Sequence, residues 1–93
     1  MSMRDTIYVK SQLDNLLANA PTQQEQIDLF NYKVQLLTWI YNLGNMRTQD
    51  EMTIKLRNLE EEKIALDFMN QPENSLEYKR VYAQLKIMQD ILN

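Results

Sequence analysis

Pro21, Gly44 and Pro72 are the only glycine and proline residues in this chain, and they stand at nearly even spacing. Ordinary usage puts about seven glycines and five prolines in every hundred residues, whereas these 93 residues hold one and two. So few breakers favour long uninterrupted helices, and the segments between them show helical spacing of apolar residues. In the first, Val9, Leu13, Leu16 and Ala20 recur at intervals of four, three and four, with Met3, Ile7 and Leu17 widening the stripe. In the last, Tyr78, Val81, Leu85, Met88 and Leu92 follow a similar rhythm.

Start signals stand just after each breaker. Thr22-Gln23-Gln24-Glu25 and Thr48-Gln49-Asp50-Glu51 both read as capping boxes, in which threonine accepts from the N3 amide and glutamate reaches back to the cap amide. Asn74-Ser75-Leu76-Glu77 is a third start, with asparagine as the cap. Pro21 and Pro72 end the helices before them, and Gly44 can close a helix in the left-handed conformation. The expected elements are helices over residues 3–19, 23–43, 49–70 and 75–92 of a single domain, with no strand. Short connections make sequential helices antiparallel neighbours. The expected fold is therefore all-α: an antiparallel four-helix bundle, or helical hairpins that complete their core by dimerising.

The second helix is apolar on too many sides. Ile27, Phe30, Val34, Leu37 and Tyr41 form one stripe, while Tyr32, Leu36, Trp39 and Leu43 form another roughly 140–150° around the helix. The polar remainder is a narrow strip of Asn31, Gln35, Thr38 and Asn42, with Lys33 isolated on the far side. A surface helix ordinarily carries one apolar stripe and a broad polar face. Two outcomes follow: either the other helices bury this one centrally, or its second stripe is a contact surface. Tyrosine and tryptophan are enriched at interface hot spots, so Tyr32, Leu36, Trp39 and Leu43 are the candidate interface. A secondary apolar line on the last helix, through Leu76, Ala83, Ile87 and Ile91, adds Ile87 and Ile91 to that set.

Equipment for chemistry is sparse. Cysteine and histidine are both absent, so no disulfide, no usual zinc site and no familiar nucleophile–base pair can be assembled. Glu60-Glu61-Glu62 is the only charge run; its carboxylates point ~100° apart and, beside Lys55, Arg57 and Lys63, read as a solvated face. Gly44 alone makes no phosphate loop. The methionines, Met52 and Met88 among them, read chiefly as core fillers. No enzyme activity and no cofactor are expected.

The net charge is −3, with the first 47 residues balanced at four basic and four acidic and the rest at six and nine. Neither half carries the basic excess that nucleic acid or an anionic membrane attracts. Lys79 and Arg80 are the one adjacent basic pair; with Arg47 and Lys86 they form the candidate contacts of an alternative, nucleic-acid-associated reading. No apolar run approaches the ~20 residues of a membrane span, and cytoplasmic location is the default. The leading expectation is a non-enzymatic interaction module, a homodimer and/or a binder of a larger protein. It would act as a small regulator, inhibitor or adaptor of the kind phages and mobile elements often carry. A structural or assembly subunit is the third reading.

Overall fold

A computed structural model, which describes residues 3–92, contains four helices: α1 (Thr6–Ala18), α2 (Gln24–Ile40), α3 (Gln49–Phe68) and α4 (Leu76–Leu92). The fold is all-α but for a minimal hairpin, β1 (Tyr41–Asn42) paired antiparallel with β2 (Asn45–Met46), between α2 and α3.

The helix ends follow local chemistry, with three departures from the sequence reading. The Thr48–Glu51 capping box forms in full, and Ser75, rather than Asn74, accepts from the Tyr78 amide at the start of α4. Asp5 caps α1 by accepting from the Tyr8 amide at 2.9 Å. The Thr22–Glu25 box does not form. Gln23 occupies the cap position without a side-chain bond, because the Glu25 carboxylate is taken by Lys79 at 2.7 Å. α3 ends in a Schellman arrangement, with Asn70 left-handed at φ 57°, the Gln71 amide donating to Leu66 and the Asn70 amide to Asp67.

The third departure concerns Gly44. α2 stops at Ile40 instead of reaching Leu43, and Leu43 and Gly44 both take positive φ, 52° and 84°. Two successive residues of that kind make the tight turn whose twist suits a two-residue hairpin. Gly44 therefore turns a hairpin instead of capping a helix.

The packing order also differs from a bundle in which each helix lies beside its predecessor. α1 packs on α2 and α3 packs on α4, but α2 and α3 scarcely touch, because α4 lies between them. Cross-contacts give the directions. Lys79 meets Glu25 and the Gln84 side chain donates to the Tyr32 carbonyl, so α2 and α4 run parallel. Arg80 reaches back to Glu62 at 2.6 Å on antiparallel α3. At the other end the Arg4 amide donates to the Ile91 carbonyl and the Tyr8 hydroxyl to Asp90, tying the start of α1 to the end of α4.

All four helices supply the core: Val9 from α1, Ile40 from α2, Met52 and Leu59 from α3, and Val81, Met88 and Ile91 from α4 are essentially sealed. Gln84 is the one buried polar side chain among the described residues, and it is satisfied by Arg80 and the Tyr32 carbonyl. The molecule is a slab, 38 × 33 × 18 Å, with a radius of gyration of 13.6 Å, against about 12.3 Å for a typical domain of this length. Its accessible surface is 6286 Å², where a folded monomer of its mass exposes about 5,650 Å². The single copy leaves more of itself uncovered than its size requires.

Candidate protein-binding groove

α1 and α4 flank α2, and they meet at only one end, through Tyr8 and Asp90. Beyond that junction the space between them is an open groove of ≈ 620 Å³ floored by α2. Its walls are apolar: Leu16 from α1, Leu29 and Leu37 from α2, and Tyr82, Ala83 and Ile87 from α4. Helix geometry makes this arrangement almost automatic. The 13-residue α1 is too short to run the length of the 17-residue α4, so the flank of α2 that faces α1 is covered only in part.

The groove is also basic. Lys33, Lys79 and Lys86 line it against the single carboxylate of Asp90. Lys79 is held by Glu25, which keeps that carboxyl below the ordinary glutamate range through the hydrogen bond and then the charge of Lys79. The Lys86 ammonium lies 5.1 Å from the Tyr82 ring centroid, within the range of a cation–π contact. Lys33 has no ion pair or hydrogen bond among the described residues, and its stem lies half-buried along the floor.

The second stripe of α2 is placed differently from the expectation. Leu36 is buried, and Tyr32 and Trp39 are half-buried. Arg47 covers Trp39 with its guanidinium 4.7 Å from the ring centroid and with an Nε–H donated to the Trp39 carbonyl, while Lys55 approaches from α3. Arg80 stands 5.7 Å from the Tyr32 ring. Only Leu43 is fully open, at 92 % exposure, and it belongs to the hairpin rather than the helix. The physical reason is the insertion of α4. Flanked by α1 on one side and α4 on the other, α2 keeps Leu36 sealed and Tyr32 and Trp39 half-covered within the subunit. Ile87 and Ile91 do not join that stripe; they line the groove, Ile91 sealed at its base.

The four basic candidates are not brought together. Arg47 lies beside Trp39 at one end of α2 and Lys79 beside Glu25 at the other, some 21 Å away at the helical rise. Arg47, Lys79 and Arg80 each hold a carboxylate of the same chain, Glu51, Glu25 and Glu62 in turn. Lys86 alone of the set faces the groove without one.

Sequence reasoning missed two features. One is the groove itself, whose single sequence signal was Lys33, a lone cation on an otherwise apolar side of α2. The other is the outer face of α3. Ile54, Ile64 and Phe68 are 57 %, 67 % and 87 % exposed, on the side of the helix opposite the buried Met52, Leu59 and Leu66. Among the described residues no group of side chains could hold a metal ion, and no helix is long and apolar enough to cross a membrane. No protein-family model, curated protein or solved structure matches this chain.

Proposed function

We propose that this chain is a non-enzymatic protein-binding module that seats an amphipathic helix in the groove between α1 and α4. The observation that carries the reading is the groove: an apolar trough of ≈ 620 Å³, open along its length and bordered by three lysines. An apolar groove between two helices is how proteins take up the greasy face of a third, with anchors at i, i+3 or i+4 and i+7. Lys33 and Lys86, the two without an ion pair among the described residues, select for acidic residues flanking those anchors, since complementary charge governs encounter and register more than raw affinity. Occupancy of such a groove suits a small regulator, inhibitor or adaptor.

The test is calorimetric titration with a designed helical peptide that has leucines at i, i+3, i+4 and i+7 and glutamates on the flanks. The wild-type protein should bind it, and Ala83→Arg, which fills the groove from a half-buried wall position, should not. The same peptide with lysines in place of the glutamates should bind at least about tenfold more weakly. Equal binding by the Ala83→Arg protein would remove the groove from consideration.

A further inference from the structure

The chain carries its own candidate for that groove. The outer face of α3 presents Ile54, Ile64 and Phe68 on one line, with Met69, 68 % exposed, just beyond its end. All four side chains are more than half exposed in the single subunit. α3 is also the acidic helix, with six carboxylates against three cations. Glu61 falls in the middle of the apolar line, seven residues from both Ile54 and Phe68, and it has no partner among the described residues. An apolar face of an acidic helix, its line interrupted by Glu61 and by Arg57 one turn before it, neither in an ion pair among the described residues, lies on one side of the molecule. A basic, apolar groove with the unpaired Lys33 on its floor lies on the other.

The sizes agree. Along α4 the groove lining runs from Lys79 to Ile91, about 18 Å at the helical rise, and the α3 line from Ile54 to Phe68 covers about 21 Å.

We propose that the occupant of the groove is α3 of a second copy of this chain, with Glu61 of one copy facing Lys33 of the next. The proposal rests on the groove reading above. Groove and α3 face are different surfaces of one subunit, separated by α4, so the contact is head-to-tail. A contact of that kind repeats, giving a closed ring or an open filament rather than a sealed two-fold dimer.

Sedimentation velocity across concentration tests this. The wild-type protein should exceed twice its 11.1 kDa chain mass as concentration rises into the high micromolar range. Phe68→Glu removes an exposed anchor and leaves the core untouched, so it should fold normally and weaken self-association about thirtyfold or more. Lys33→Glu and Lys86→Glu, two independent groove variants, should each weaken it about tenfold. Lys33→Glu combined with Glu61→Lys should recover most of the loss.

Mixing the Phe68→Glu protein, whose groove is intact, with the Lys33→Glu protein, whose α3 face is intact, should yield a one-to-one complex that grows no further. A wild-type protein that stays monomeric throughout, or assembly indifferent to these variants, overturns the proposal. If the designed acidic peptide still binds in that case, the groove reading survives and only self-pairing falls. If neither binds, both fall.

Discussion

Leu43 sits at φ 52° at the first central position of the hairpin turn, with its side chain 92 % exposed. A left-handed backbone costs a residue with a bulky side chain roughly 1–2 kcal/mol, a penalty that asparagine largely escapes through its short polar side chain. Nothing in the subunit offsets that cost, since the leucine side chain packs against almost nothing. Leu43→Asn should therefore stabilise the chain by about 1 kcal/mol, a rise in Tm of about 4–8 °C for a domain of this size. The neighbouring Gly44 is the control. At φ 84° an added Cβ meets no atom within 4 Å, so Gly44→Ala should destabilise through backbone strain alone, by about 1 kcal/mol. Urea denaturation followed by circular dichroism reads both. An unchanged or lower midpoint for Leu43→Asn would refute this account of the turn. The same variant also separates turn from docking surface: self-association should persist in Leu43→Asn, whereas a seam running through Tyr32, Leu36, Trp39 and Leu43 would weaken.

Other expectations follow from the packing and the charges. Leu59 is wholly sealed between α3 and α4, so Leu59→Ala should cost about 2–5 kcal/mol in the same denaturation assay, a large part of the stability of a chain this small. Arg47→Met removes both the guanidinium over Trp39 and the bond to its carbonyl; a loss of about 1–2 kcal/mol and a red shift in the emission of the single tryptophan should follow. Glu25 and Glu51 are held below the ordinary carboxylate range, the first by its bond to Lys79 and the second by the amide and hydroxyl of Thr48. The unfolded chain therefore binds protons more readily than the folded one, so stability is complete above about pH 5 and declines as pH falls through the lowered values. Thermal melts between pH 7 and 3 should show the decline, and it should be smaller in Glu25→Gln.

The helical character and the start of α3 were legible because they are local. Thr48 and Glu51 need only each other, and both bonds of their box form. The matching signal at Thr22 and Glu25 misled because Glu25 has a better partner in Lys79, 54 residues away, which no window along the chain contains. The hairpin was hidden because leucine is an unusual occupant of a left-handed turn position, and Leu43 also fitted the apolar rhythm of α2. The two-sided apolar pattern of α2 was legible as far as Ile40, beyond which Tyr41 and Leu43 belong to the hairpin. Its explanation lay in the packing order, since nothing local says that α4 inserts between α2 and α3. The groove and the α3 face were the least legible. The groove exists only once α1 and α4 are placed, and the α3 line is broken by Arg57 and Glu61, so it reads as a solvated charge face until Ile54, Ile64 and Phe68 are found bare.

A photo-crosslinking residue at Tyr82, which stands half-exposed on the groove wall, asks most directly where a helix docks on this molecule. Benzoylphenylalanine there, irradiated in concentrated protein and mapped by mass spectrometry, should form adducts within residues 54–69 of a second copy. Adducts concentrated at Trp39–Leu43, or none between copies and none with the acidic peptide, would contradict the account.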